Sequence, residues 1–177
     1  MVLFVDAAHF LHGAYVGWLW CFHRIFLRSP SGRQRFNVLG ALDALTRQVH
    51  CFTNEGYITA ESVGTLFRQV AAFYGPALPI TIFLDNARYQ RCAWTQAQAQ
   101  ALGIELDFLP SYSPNLNLIE RYWKWVKKEC LNAQYHADFA SMKAVVRRCL
   151  DQGHREHHAE LVSLLSWKFH LFDKVTI

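Results

Sequence analysis

Residues 109–125 read LPSYSPNLNLIERYWKW. A turn punctuated by proline runs through Ser113 and Pro114, and the apolar spacing after it predicts an amphipathic helix that reaches about Asn132. Glu120 lies in the first turn of this predicted helix. If the Glu120 carboxylate binds a metal ion, it needs acidic partners elsewhere in the chain.

Two aspartates meet that requirement, Asp6 in LFVDAAHF and Asp85 in ITIFLDNARYQ. Each follows an apolar run typical of a buried strand, and strand ends are where sites form in α/β sheets. If the two strands are neighbours, the carboxylates need a compensating cation, and hard oxygen ligands suit Mg²⁺ or Mn²⁺. Together with Glu120 they predict a two-metal site of the kind that cleaves phosphodiester bonds.

The helix that carries Glu120 presents two different faces. The apolar face carries Ile119, Trp123, Val126 and Cys130. The polar face carries Glu120, Lys124, Lys127 and Lys128. An acid followed by lysines favours a substrate with successive phosphates, so these lysines are candidate DNA contacts.

Structural interpretations of the same acids stay open at this point. Glu120 could form a capping box with Asn117, or an ordinary ion pair with Lys124. A single aspartate after a strand, such as Asp6 or Asp85, is commonly a turn residue.

Composition indicates one globular domain over residues 1–177, because a chain of 177 residues that is 52% hydrophobic can bury one sizeable core. The net charge of +4 permits an anionic partner without requiring one. Five cysteines lie far apart, which indicates core thiols in a reducing compartment. The most apolar stretch, residues 13–22, is too short to span a bilayer, so we expect no membrane segment.

Periodicity predicts an α/β fold with a mixed sheet. The predicted strands are residues 2–5, 36–42, 49–52, 80–84 and 104–109. The predicted helices are residues 59–74, 88–102, the one that starts near Glu120, and 139–150 with Val145, Val146 and Leu150 facing inward.

The words FVDAAHF, FLDNARYQ and LPSYSPNLNLIERYWKWVKK together resemble the catalytic domain of the DDE transposases of the mariner superfamily, in its bacterial insertion-sequence branch. The 34 residues 86–119 between the second and third acids match the separation typical of that branch. The stretch SGRQRFNVLGAL also looks like the family. The resemblance runs from Met1 to about Leu150.

This resemblance implies an RNase H-like fold, a five-stranded mixed sheet flanked by helices. It also implies an enzyme that cleaves transposon-end DNA and transfers the strand to target DNA. Asp6, Asp85 and Glu120 would be the catalytic residues and would hold two Mg²⁺ or Mn²⁺ ions, and Asn86 would support the metal site or contact DNA. By the same analogy we expect a homodimer on DNA, in the bacterial cytoplasm at the nucleoid.

Two departures from the family pattern stand out. Gln90 occupies a position where family members often have histidine, which leaves the role of that side chain open. We also expect no N-terminal helix-turn-helix domain in this chain. End recognition would then come from a separate polypeptide or an upstream region, unless the chain is a fragment.

Further basic and aromatic residues were weighed as DNA contacts. Arg33 and Arg35, with Arg24 and Arg28, surround a Gly/Ser/Pro turn that is either a basic DNA-contacting loop or a solvated turn. Tyr15, Trp18, Trp20 and Phe22 could stack on bases, but burial in the core is the favoured interpretation. The sets His9, His12 and His154, His157, His158 are incomplete as zinc ligands.

Two other functions compete with a transposase. One is an RNase H-like nuclease that hydrolyses without strand transfer. The other is a non-catalytic DNA-binding or assembly protein derived from a transposase. Metal-dependent turnover and strand transfer distinguish the three.

Overall fold

The computed structural model describes residues 1–13, 22–23, 34–111, 113–132 and 134–169. Its strands are β1 (Val2–Leu11), β2 (Arg35–Asp43), β3 (Val49–Asn54), β4 (Ile80–Leu84) and β5 (Ile104–Phe108). Its helices are α1 (Ala60–Tyr74), α2 (Arg88–Arg91), α3 (Ala93–Ala101), α4 (Leu118–Leu131), α5 (Phe139–Glu156) and α6 (His158–Leu164), with a 3₁₀ turn at Pro114–Leu116.

The five strands form one mixed sheet in the order β3-β2-β1-β4-β5. β1, β2 and β3 form an antiparallel meander, whereas β4 pairs in parallel with β1 and with β5. The parallel pairings need crossover connections, and α1 and the pair α2 and α3 supply them. The predicted mixed sheet flanked by helices is therefore confirmed.

Side chains alternate across the sheet and so build two cores. Phe4, Ala8 and Phe10 of β1 face α4 and α5. Leu3 and Val5 face the opposite layer, where α1 and α3 pack. Asp6 lies between Phe4 and Ala8 along β1 and therefore points to the α4 side of the sheet.

Local sequence explains where the long helices begin and end. Thr59 and Ser62 form a capping box at the start of α1, and Gly75, with φ of 73°, follows the last turn. Asp138 and Ser141 form the same capping arrangement at the start of α5. The predicted hairpin turn between β2 and β3 is present, and Asp43 begins it.

The structure corrects several expectations. β1 continues to Leu11 because its other edge pairs with β2 along the whole length, which an apolar run ending at Val5 did not reveal. The predicted helix over residues 88–102 breaks at Cys92, whose ψ is 152°. Val145 is exposed, since the inner face of α5 carries Met142, Val146 and Leu150 instead.

Most of the predicted aromatic segment and basic turn lies outside the described residues. Tyr15, Trp18, Trp20, Arg24, Arg28 and Arg33 belong to those parts of the chain. Phe22 is described and fully exposed, so the expectation that it is buried was wrong. Within the described ranges, no helix combines the length and apolarity needed to cross a membrane.

Candidate active site

The parallel pairing of β1 with β4 brings the two aspartates together. Val5 lies opposite Leu84 in the register, so Asp6 and Asp85 are the next residues on the two adjacent chains. β4 ends at Leu84, which places Asp85 at a strand end as expected. Asp6 lies inside β1 and not at its end, because β1 continues along β2 after its pairing with β4 stops.

Asn117 joins the two aspartate-bearing strands to the start of α4. Its Nδ2 donates to the carbonyl oxygen of Val5 at 3.3 Å and to Oδ1 of Asp85 at 3.2 Å. The side chain is buried, and its Oδ1 has no hydrogen-bond partner. Asn117 makes no side-chain cap on α4, so the capping-box interpretation of Asn117 and Glu120 was wrong.

Glu120 lies one helical turn after Asn117, in the first turn of α4. No ion pair joins it to Lys124 within the described chain, which leaves its carboxylate available to the site. Burial, together with the charges of Glu120 and Asp85, raises the pKa of Asp6 from 3.8 to about 7 against the lowering effect of the Ala7 N–H. Glu120 and Asp85 therefore both lie within electrostatic reach of Asp6.

The influences that raise and lower the pKa are more nearly balanced at Asp85 than at Asp6. Burial raises its pKa, and the hydrogen bond from Asn117 partly offsets that rise by stabilising the charged form. The two aspartates therefore differ in what surrounds them. Asp85 has an amide donor, whereas Asp6 meets the like charges of Glu120 and Asp85.

Trp123 covers Asp6 from α4. Its buried indole N–H makes no hydrogen bond of normal geometry, yet it lies close enough to lower the pKa of Asp6 slightly. Gly40 lies opposite Asp6 on β2, and a Cβ at Gly40 would stand 2.6 Å from Cη2 of Trp123. Only glycine at this position leaves room for the indole ring.

Tyr89 and Gln90 are neighbouring residues of α2, and Tyr89 was not anticipated as part of the site. Burial, followed by the charges of Asp6 and Asp85, raises the pKa of Tyr89 to about 12, so its hydroxyl stays protonated beside the acids. Gln90, whose role the family pattern left open, is buried, and neither atom of its amide group has a partner among the described residues. The position of Tyr89 in the word DNARYQ, four residues after Asp85, is the signal that could have found it.

The donor set fits divalent metal ions in its chemistry. Neighbouring carboxylates such as Asp6 and Asp85 repel one another and are hard oxygen ligands of the type that Mg²⁺ and Mn²⁺ prefer. The unpartnered Oδ1 of Asn117 adds an orphaned polar atom at the same place. Within the described residues, no three His, Cys, Asp or Glu side chains converge on a single ion position.

A sequence comparison matches residues 1–143 to the family described as DDE superfamily endonuclease. The chain belongs to this family. No curated protein matches it in a search at sequence level.

Solved structures similar to this DDE endonuclease include the Mos1 strand transfer complex, at 12% identity and a TM-score of 0.66, with 97% of this chain and 56% of that chain covered. The Mos1 mariner paired end complex with Mn has 12% sequence identity and a TM-score of 0.65, and the match covers 93% of this chain and 53% of that chain. The HTLV-2 integrase catalytic core domain in complex with magnesium has 14% sequence identity and a TM-score of 0.55, and the match covers 85% of this chain and 83% of that chain.

These low identities establish the fold alone. The predicted RNase H-like fold is confirmed, since the neighbours are transposase and integrase catalytic cores of that type. The chain spans about half the length of the Mos1 chains that it matches.

The candidate DNA contacts of the DDE endonuclease fall in two places. Lys124 and Lys128 are exposed on α4 and line a cavity of about 240 Å³ that also contains Glu160, whereas Lys127 is half-buried. Arg35 lies five residues along β2 from the position opposite Asp6, about 17 Å away at the usual strand rise. The structure therefore gathers the lysines near Glu120 and leaves Arg35 apart from them.

Asn86 and the histidines have partners within the protein. The Asn86 amide donates to the carbonyl of Leu109 and accepts from Arg91, while the side chain lines a cavity of about 330 Å³ beside Asp85. His9 is bonded to Asn37 at 2.7 Å, and His12 is buried with its ring 3.3 Å from the carbonyl of His136.

Proposed function

We propose that this chain is the catalytic domain of a DNA transposase of the mariner superfamily, in the bacterial insertion-sequence branch. The observation that carries the proposal is the parallel register of β1 with β4, which places Asp6 beside Asp85, while Asn117 ties the start of α4, with Glu120 in its first turn, to Asp85. The charges of Glu120 and Asp85 also raise the pKa of Asp6, after burial. Carboxylates in this arrangement on an RNase H-like sheet support metal-dependent cleavage of phosphodiester bonds.

Asp6, Asp85 and Glu120 would hold two Mg²⁺ or Mn²⁺ ions. Such ions supply activation of the attacking water or 3′-hydroxyl and stabilisation of the leaving 3′-oxygen. The residues of this chain provide the geometry. Asn117 holds the Asp85 carboxylate against the start of α4, and Trp123 packs over Asp6.

DNA is the partner that the surface charges support, with Lys124, Lys127 and Lys128 beside Glu120 and with Asn86, Arg33 and Arg35 as further contacts. The single domain 1–177 would act as a homodimer on transposon ends and target DNA in the bacterial cytoplasm. A separate polypeptide or an upstream region would recognise the transposon ends.

A cleavage assay on end-containing DNA tests this function. Purified protein, joined where necessary to its recognition partner, should nick and join DNA only with Mg²⁺ or Mn²⁺. Asp85→Ala and Glu120→Ala should each lower the rate more than about 100-fold, because losing even an outer partner of a metal site costs 10–100-fold. Asp107→Ala, an exposed aspartate on β5, is the matched control and should leave the rate unchanged.

The products separate the competing functions. Joined products support a transposase, and hydrolysed products without joining indicate an RNase H-like nuclease. DNA binding without metal-dependent turnover would indicate a non-catalytic assembly protein. Full activity of Asp85→Ala and Glu120→Ala would refute the site.

A further inference from the structure

Residues 165–169, here called the C-terminal segment, contact the structure that supports all three candidate acids. The family match ends at residue 143, so it does not include this segment. The segment follows α6 and packs against the face of the sheet that α4 also covers. Two sets of contacts connect it to the site, one through Arg121 and one through aromatic rings.

Arg121 is the residue directly after Glu120 in α4. Its guanidinium donates to the carbonyls of Leu164 at 3.4 Å, Ser166 at 2.8 Å and Lys168 at 2.6 Å. It also stacks over the ring of Phe169, 5.5 Å from the centroid. The planar, rigid fork of donors in arginine suits several fixed acceptors at once, which the point charge of lysine does not. Because these bonds occupy the guanidinium, Arg121 is committed to the C-terminal segment.

The aromatic contacts reach the two aspartate-bearing strands. Trp167 and Phe169 each lie 6.3 Å from the ring of Phe4, which stacks on Phe83 at 5.2 Å. Phe4 precedes Asp6 by two residues on β1, and Phe83 precedes Asp85 by two residues on β4. Since side chains alternate along a strand, each ring lies on the same face as its aspartate. The C-terminal segment therefore packs on Phe4, two residues before Asp6, and reaches the strand that leads to Asp85 through the stacked ring of Phe83.

We propose that the C-terminal segment, held by Arg121, positions Glu120 relative to Asp6 and Asp85, and that Arg121 is a positioning residue of the metal site. This inference rests on the proposed metal-dependent function. The segment contacts β1 through Phe4, whose ring stacks on Phe83 of β4, and it contacts the turn of Glu120 through Arg121. It thereby fixes the distance between the third acid and the first two.

The sign of the effect on metal affinity separates positioning from simple electrostatics. Arg121 is a cation, so its removal by electrostatics alone would leave cation binding unchanged or make it tighter. Loss of positioning has the opposite effect, since the three acids would no longer be held at the separation that the ions require. Arg121→Ala should therefore weaken Mn²⁺ binding, by about 10-fold on the scale of outer partners of metal sites.

The experiment measures Mn²⁺ affinity of the full chain without DNA, by electron paramagnetic resonance of free Mn²⁺. Arg121→Lys keeps the charge but loses the fork, and we expect an affinity between those of Arg121→Ala and the wild type. Trp167→Ala should weaken binding in the same direction, although less. Arg148→Ala, an exposed arginine on α5, is the matched control and should bind as the wild type does.

A general loss of stability is controlled by Val70→Ala on α1, which opens the core on the opposite face of the sheet, a core that includes no residue of the segment. It should lower the melting temperature and leave Mn²⁺ affinity unchanged. If Arg121→Ala does not fold, Arg121→Lys and Trp167→Ala carry the test. Wild-type affinity or tighter binding in the folded Arg121 variants would overturn the positioning role alone. Absence of Mn²⁺ binding by the wild type, or equal binding by Asp85→Ala, would overturn the proposed function as well.

Discussion

Asp6 and Asp43 are aspartates on adjacent strands of one sheet, and their surroundings are opposite. Asp43 is buried, and its carboxylate accepts hydrogen bonds from the N–H groups of Leu45 and Thr46 and from the hydroxyl of Tyr74. Burial alone would raise its pKa, but these donors hold the pKa below 3.8. Asp6 has the N–H of Ala7 and the weak influence of Trp123 against burial and two like charges, and its pKa rises to about 7.

These opposite surroundings mean that the Asp43 carboxylate stabilises the fold, whereas the Asp6 carboxylate destabilises it. A charge whose donors are all supplied by the protein contributes to folding stability. A charge that is crowded by like charges costs stability and persists in native structures where function requires it. The contrast therefore supports a functional role for the Asp6 end of the sheet and a structural role for the turn at Asp43.

The largest expected effect on stability is that of removing the Asp43 carboxylate. Asp43→Ala should lower the free energy of unfolding by about 3 kcal/mol, since it removes the charged, buried acceptor of three donors at once. Urea denaturation at pH 7 measures this loss. Asp107→Ala, at an exposed position on β5, should cost less than about 0.5 kcal/mol. A loss for Asp43→Ala as small as that of the control would contradict the structural role.

At Asp6, removal of the charge is expected to raise the free energy of unfolding, the opposite of the effect at Asp43. The unfolded chain ionises this carboxyl near 3.8 and the native protein near 7, so without metal the free energy of unfolding falls as pH rises between those values. The full rise in pKa corresponds to about 4 kcal/mol, and about 2 kcal/mol is expected because the side chain is half-buried. Asp6→Asn should therefore stabilise the metal-free protein by about 2 kcal/mol at pH 8.

Thermal unfolding of Asp6→Asn and the wild type in a chelator, at pH 8 and at pH 4, tests this sign. The difference should be largest at pH 8 and should nearly vanish at pH 4, where the native wild type holds the proton and the unfolded chain is about half protonated. Addition of Mn²⁺ should stabilise the wild type more than the variant. A variant less stable than the wild type at pH 8 would show that Asp6 is structural, like Asp43.

Much of the fold and of the candidate site could be predicted from the sequence, because the strands and the helix that hold the acids have local sequence patterns. Apolar runs before Asp6 and Asp85 predicted strands, and the spacing around Glu120 predicted the helix face that buries Trp123. The position of Asp85 at a strand end followed from the run alone. These features depend on period and composition, which a single stretch of chain displays.

The contacts that complete the site depend on residues far apart in the chain, and no local pattern reports them. Asn117 looked like a helix cap, but its side chain reaches Val5 and Asp85 instead. Arg121 was not singled out from the sequence, because it binds carbonyls more than 40 residues later. The length of β1 was underestimated for the same reason, because its continuation depends on pairing with β2.

The smallest expected effect on stability is that of removing the Tyr74 hydroxyl, one of the three donors to Asp43. Tyr74 donates to Oδ2 of Asp43 at 2.6 Å, and burial together with this bond raises the pKa of the tyrosine. Tyr74→Phe removes one of three donors and should cost about 1.5 kcal/mol, as expected for a hydrogen bond to a charged group. Without that donor the effect of burial is less opposed, so the pKa of Asp43 should rise.

The pH dependence checks this explanation. A carboxylate with a lowered pKa contributes stability that is present above 3.8 and is lost as pH falls through the native pKa. In Tyr74→Phe that loss should begin at a higher pH, which shifts acid unfolding upward. Tyr57→Phe, at an exposed position, is the matched control and should unfold as the wild type does. An unchanged acid midpoint in Tyr74→Phe would mean that the two backbone N–H donors suffice to stabilise Asp43, and that the hydroxyl contributes packing alone.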